Sequence, residues 1–347
     1  NAKLIATLLS AYRLRQSQTE VKQLREKEVE LKKQLTSGEE LIWGDSPVMQ
    51  QLHRLIEKVA STDANILITG ENGTGKEMIA KELHRLSKRN KEVMIGVDMG
   101  AITETLFESE LFGHVKGAFT DAKEDRAGKF EAANKGTLFL DEIGNLTYSL
   151  QSKLLAAIQS RQITRIGSNK PIDIDIRLIC ATNRNLNEMV QRNEFREDLL
   201  YRINTIHLEI PPLRERPEDI LPLAERFITR FCKQYDKTLL RLSDAACTKL
   251  KTHPWYGNIR ELEHAIEKAV IICDGNELPA ELFQLPKRSE TSRIGSDAGT
   301  EAATLEEMER KMIQKALDTC SGNLSAVAAQ LGITRQTLYN KMKKFGL

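Results

Sequence analysis

The stretch Gly70-Glu71-Asn72-Gly73-Thr74-Gly75-Lys76 constrains the fold more than any other part of the chain. It fits the pattern G-x-x-x-x-G-K, follows directly on the apolar run Ile66–Thr69, and precedes a helical periodicity through Met78 and Leu83. Glycines let a backbone turn tightly enough for its N–H groups to surround an anion, and the start of the next helix adds partial positive charge. Strand, loop and helix in this order predict a phosphate-binding α/β unit, with Lys76 reaching the β- and γ-phosphates. The next residue is Glu77, where most such loops carry a hydroxyl for Mg²⁺.

A second element agrees with the first. Gly136-Thr137-Leu138-Phe139-Leu140-Asp141-Glu142 is a short apolar run ending in two acids. Desolvated carboxylates are costly unless paired or metal-bound. Asp141 therefore suits Mg²⁺, and Glu142 suits activation of water for attack on a γ-phosphate. ATP and Mg²⁺ are the expected cofactors. A third run, Arg177–Thr182, is followed by Asn183, which reads equally as a γ-phosphate sensor and as an ordinary strand-end cap. From Ile42 to Ile210 such runs alternate with helical periodicity, which predicts a parallel sheet covered by helices on both faces.

The remaining organisation follows from composition. Residues 1–40 are charged, and Val21, Leu24, Leu31 and Leu35 fall on an a/d seam. They read as a linker helix, either a dimerising coiled coil or a lone solvated helix. Because the chain begins with Asn1, a domain upstream of it is expected. Residues 41–212 form the α/β unit. After Pro211-Pro212 strand signals stop, so residues 213–286 are expected to be a helical subdomain broken near Pro254 and Gly275. Residues 287–303 are poor in apolar side chains and read as a flexible linker, and residues 304–347 are again helical. The net charge of +2 is too small for the whole surface to attract nucleic acid, so any such affinity must be local. No apolar run is long enough to cross a bilayer, no secretory signal is visible, and the five cysteines are scattered singly. These features fit the cytoplasm.

Five further blocks, in order, carry a family resemblance. They are Glu108–His114, Gly117–Ala122, Phe195–Arg202, Pro211–Arg216 and Trp255–Leu262. With Gly70–Glu77, the chain closely resembles bacterial enhancer-binding proteins of the NtrC-like type, the sigma-54-dependent AAA+ activators. The resemblance runs from about Ile42 to the C-terminus. It implies that Gly117, Ala118, Phe119, Thr120, Asp121 and Ala122 form a mobile loop tip that presses on sigma-54. It implies that Arg196 and Arg202 are arginine fingers for a neighbouring subunit, and that Arg260 is a sensor on the lid. A surface salt bridge is the plain alternative for each arginine. Trans-acting arginines imply a ring, expected to be a hexamer built from dimers, and the first helix would suit a linker from a receiver domain of a response regulator.

Two residues depart from the family pattern. Asp121 stands where the loop carries glycine, and Asp98 stands where a strand-end asparagine pairs with the catalytic glutamate. An Asp carboxylate cannot donate a hydrogen bond to Glu142. Another donor, a protonated acid, or a different alignment would each resolve this.

At the C-terminus, Leu305–Cys320, Ser325–Leu331 and Thr334–Phe345 have helix-turn-helix spacing, with Thr334 as N-cap. Residues 321–347 hold four Lys/Arg and no Asp/Glu. Arg335 and Gln336 are expected at base edges, and Lys341, Lys343 and Lys344 on phosphates, with Thr337, Tyr339 and Asn340 on the same helix. The segment resembles the Fis-type DNA-binding domain. The reading is an ATP-hydrolysing activator that remodels sigma-54 RNA polymerase from upstream enhancer DNA. The alternatives are a DNA-binding regulator whose ATPase does not engage sigma-54, favoured by Asp121 and Asp98, and a remodelling ATPase that acts without DNA.

Overall fold

The computed structural model describes residues 43–101, 104–285, 313, 316, 317, 324, 327, 328 and 332–345. The linker helix and its a/d seam lie outside the described residues, as does most of the segment from 286 to 331. Chain contacts divide the protein into two units, residues 1–285 and 286–347.

In the first unit, α1 (Pro47–Ala60) leads to β1 (Ile66–Thr69), α2 (Lys76–Arg85), β2 (Met94–Asp98), α3 (Glu104–Phe112) and α4 (Lys129–Ala132). Then come β3 (Thr137–Asp141), α5 (Tyr148–Ser160), β4 (Arg177–Thr182), α6 (Leu186–Gln191), α7 (Glu197–Ile203) and β5 (Ile206–Glu209). The five strands form one parallel sheet in the order β2-β3-β4-β1-β5.

Alternation along the strands builds a core on each face, because successive side chains point to opposite sides. Ile66, Ile68, Phe139, Ile179, Ala181 and Leu208 join a core with Ile56 of α1 and Ile79 and Leu83 of α2. Leu67, Val97, Leu138, Leu140, Leu178 and Cys180 join the opposite core with Leu111 of α3, Leu154 of α5 and Leu199 of α7. The expected sheet with helices on both faces is the observed architecture. Arg177, at the start of β4, is fully buried. Its guanidinium donates to the carbonyls of Ala60 (2.8 Å), Leu83 (3.2 Å) and Val59 (3.2 Å), so one side chain caps the C-terminal ends of α1 and α2. Burial pulls its pKa below the usual arginine value.

The lid follows as α8 (Ile220–Gln234), α9 (Asp244–Thr252) and α10 (Asn258–Ile272). They close around Trp255, fully buried, whose indole N–H donates to the Leu250 carbonyl at 2.8 Å. The expected helical lid also carries a short ribbon, in which Arg241–Leu242 pairs in parallel with Glu277–Leu278. Two residues per strand are too few to leave a period in the sequence.

In the second unit Ile313, Ala316, Val327, Ala328 and Leu338 share a small core. The last helix, α11 (Arg335–Phe345), starts as expected: the Thr334 hydroxyl accepts from the Thr337 N–H at 3.2 Å.

Candidate active site

The glycine loop joins β1 to α2 with left-handed backbone at Gly73 (φ 77°) and Gly75 (φ 103°). At Gly73 a side chain is excluded by space as well, since a Cβ would lie 2.4 Å from the Gly257 carbonyl oxygen. Lys76 is buried and its ammonium donates to the carbonyls of Gly70 (3.0 Å) and Glu71 (3.2 Å). Burial lowers its pKa, while Glu142 and Asp141 act in the opposite direction and Arg260 adds to the lowering. The lysine, both acids and the lid arginine therefore belong to one electrostatic neighbourhood.

Asp98 and Asp141 face each other at the matched ends of β2 and β3. Burial raises the pKa of Asp141, against the N–H of Glu142 and Lys76, and Asp98 and Glu77 raise it further. Glu142 sits in the left-handed region (φ 54°), which re-aims it at the end of the strand. Glu77 is ion-paired with Lys81 at 2.7 Å on the exposed side of α2. Asn183 is exposed and lines, with Gly70, Glu71, Arg184, His207 and Arg214, a cavity of about 820 Å³.

The structure adds a joint between loop and lid that local spacing does not reveal. Asn258, fully buried with φ 54°, donates to Glu71 Oε2 and to the Asn72 carbonyl, both at 3.0 Å, and accepts from the Leu213 N–H at 2.8 Å. Arg214 forms a two-pronged contact with the Glu71 carboxylate, one arm at 2.7 Å. Hydrogen bonding from Arg214, helped by Asn258, holds the Glu71 pKa below the usual glutamate range. The Ile259 N–H donates to the Gly73 carbonyl at 2.9 Å. Next to the joint, buried Arg216 donates to the Thr74 carbonyl at 3.2 Å, and buried Asp219 accepts from the Ser46 N–H and hydroxyl, each at 2.8 Å. Glu71, expected from spacing to serve the phosphate loop, thus turns its side chain to the lid.

The two remaining arginines lie elsewhere. Arg196 forms a bidentate pair with Asp198 (2.9 and 2.6 Å), donates to Ser152 Oγ at 3.0 Å and lies over the Tyr148 ring. Arg202 is exposed, has no side-chain partner among the described residues, and borders a second cavity of about 400 Å³ with Asp63, Arg89 and Asp175.

Residues 117–122 form a turn closed by the Gly117 N–H to the Ala122 carbonyl (2.9 Å) and the Ala122 N–H to the Phe119 carbonyl (3.0 Å). Phe119 is 41% exposed, and its ring meets His114 edge-on at 4.9 Å. His114 is buried and hydrogen-bonds Ser109 Oγ at 2.7 Å. Thr120 and Asp121 are exposed, Ala118 is half-buried and Ala122 is buried. On α11, Arg335, Gln336, Tyr339, Asn340, Lys343 and Lys344 are exposed, and Thr337 and Lys341 are half-buried. Among the described residues no group of three His, Cys, Asp or Glu could hold a metal, and no helix is long and apolar enough to cross a membrane.

Three family descriptions match successive stretches: the Sigma-54 interaction domain over residues 42–209, the AAA+ ATPase lid domain over 214–299, and the bacterial regulatory protein, Fis family, over 304–345. The transcriptional regulatory protein ZraR of Salmonella typhimurium is 44% identical over 301 residues, covering 87% of this chain and 68% of that protein. The alginate biosynthesis transcriptional regulatory protein AlgB of Pseudomonas aeruginosa is 43% identical over 333 residues, covering 95% and 73%. Among solved structures, NtrX from Brucella abortus in complex with ADP superposes with a TM-score of 0.67 at 30% identity, covering 96% of this chain and 75% of that one.

Proposed function

The chain belongs to the sigma-54-dependent family of bacterial AAA+ transcriptional regulators with a Fis-type DNA-binding domain, and from that membership we propose how its residues divide the work. It is an ATPase and a transcriptional activator that works with sigma-54 and binds DNA through its C-terminal domain. What carries the finer reading is the single neighbourhood of Lys76, Asp141, Glu142 and Arg260 at the end of the sheet.

ATP enters the glycine loop, and Lys76 exchanges the carbonyls of Gly70 and Glu71 for the β- and γ-phosphates. Residues Gly70–Glu77 surround the phosphates with backbone N–H groups, Asn72 and Thr74 among them. Among the described residues only one Asp141 oxygen takes a protein hydrogen bond, from the Glu142 N–H, so Asp141 fits as a Mg²⁺ ligand beside phosphates and water. The ion would neutralise charge on the transferring phosphoryl group. Glu142 orients the attacking water, Asn183 senses the γ-phosphate, and Arg260 answers from the lid. Arg196 and Arg202 are donated to a neighbouring site in a hexameric ring built from dimers. The 117–122 loop presents Phe119 and Thr120 to sigma-54. On enhancer DNA, Arg335 and Gln336 read bases, Lys341, Lys343 and Lys344 hold phosphates, and Thr337, Tyr339 and Asn340 line the same helix. The protein works in the cytoplasm, downstream of a receiver domain.

A second reading, a DNA-bound regulator that does not engage sigma-54 efficiently, is favoured by Asp121, a carboxylate at the exposed tip with no side-chain partner among the described residues. ATP turnover against protein concentration separates the two, with and without sigma-54, for this chain and for Asp121→Gly. A cooperative rise together with a sigma-54 complex in ADP–aluminium fluoride supports the activator. Turnover with no complex until Asp121 is replaced supports the second reading. Native mass spectrometry showing only monomers with an ATP analogue would reject the ring.

A further inference from the structure

Three observations meet at the rim between β2 and β3. Asp98 and Asp141 end their strands in register, and the Asp98 carboxylate accepts from the Gly100 N–H at 2.7 Å. Glu142 opens a 3-10 turn whose last residue is Asn145, and the Asn145 N–H donates to the Glu142 carbonyl at 2.9 Å. A Cβ built on Gly100 would lie 3.2 Å from Asp98 Oδ1 and 3.3 Å from Asn145 Nδ2. A carboxylate oxygen and an amide nitrogen therefore border one small gap, which is open because residue 100 lacks a side chain. Among the described residues the Asn145 side chain has no hydrogen-bond partner, and its amide is left to face the gap.

Two carboxylates on adjacent elements repel, and neither can donate a hydrogen bond while ionised. A primary amide donates two hydrogen bonds and carries no charge. We propose that Asn145 is a positioning residue for ATP hydrolysis, its amide crossing the Gly100 gap to hold Asp98. The contact relieves repulsion at the strand ends and fixes Asp98 relative to Glu142. It also ties the hydrolytic turn to β2, whose chain continues through α3 to the 117–122 loop. The proposal rests on reading Asp141 and Glu142 as the hydrolytic pair.

The test uses the full chain and reads kcat and KM for ATP, the pH profile of kcat, and binding of a fluorescent ATP analogue. Asn145→Ala is expected to lower kcat about tenfold, the scale of one hydrogen bond to a charged group, with KM and analogue affinity within about twofold. Gly100→Ala, which fills the gap, is expected to lower kcat in the same way. Asp98→Asn added to Asn145→Ala returns an amide from the other side of the gap and is expected to recover most of the rate and the wild-type pH profile. An unchanged kcat in Asn145→Ala, or a loss that Asp98→Asn fails to recover, overturns the role of Asn145 and leaves the hydrolytic reading standing. If Glu142→Gln hydrolyses ATP as fast as the unaltered chain, the hydrolytic reading fails and the proposal falls with it.

Discussion

Lys76 is a buried cation that the loop satisfies with two of its own carbonyls. In the proposed mechanism nucleotide replaces those contacts with stronger charged ones, so the side chain would serve both as a ligand group and as a support of the loop. Lys76→Ala is expected to weaken ATP-analogue binding at least tenfold by fluorescence titration, from the ~1.5–3 kcal/mol of a charged hydrogen bond. Glu142 poses the opposite case. In the proposed mechanism its carboxylate acts on water, so Glu142→Gln should keep analogue affinity within about twofold while turnover falls by roughly 10²–10⁴. Both residues are visible in the sequence because their chemistry demands fixed local spacing from glycines and strand ends. Asn258 is not visible in that way: it joins Glu71 across a separation of 187 residues, and nothing near it in the chain announces the partner.

At the scale of elements, the lid and the glycine loop are held by polar contacts and the sheet by burial. Glu71 has a lowered pKa in the folded protein, so its contact with Arg214 contributes stability above the usual glutamate range. That contribution is lost as pH falls through the lower, folded value. Arg214→Ala is therefore expected to lower Tm at pH 7 and to leave it little changed once acid has protonated Glu71, checked by calorimetry from pH 7 downward. The group is partly exposed, which limits the effect to the ~0.2–1 kcal/mol range of surface pairs. Arg177→Ala should cost more. It leaves the Val59, Ala60 and Leu83 carbonyls without a donor at buried helix ends, a loss of roughly 1–3 kcal/mol for each one that water does not reach. The α/β order and the two-faced cover were legible because apolar runs recur with the period of buried strands. The short lid ribbon and the capping role of Arg177 were not, since a two-residue strand has no period and a strand-initial arginine looks like a solvated end.

For the molecule as a whole, the basic final helix stands apart from a nearly neutral chain. Lys343→Ala is expected to weaken DNA binding similarly on all sequences and to reduce the slope of log K against log salt by about one, measured by gel shift from low to moderate salt. Arg335→Ala should instead narrow the gap between specific and random DNA. The bidentate clasp of Arg196 by Asp198 carries a consequence for assembly. In the proposed ring this guanidinium must leave a carboxylate of its own chain before it can serve a neighbour. A triphosphate carries more negative charge than the diphosphate left after hydrolysis, and so competes better with the carboxylate already in contact. The clasp would then act as a threshold: a protomer beside an ATP-loaded site releases its arginine, and a protomer beside a spent site takes it back. Rotation of activity around such a ring would need no long-distance signal, only the difference in charge between what was bound and what is left.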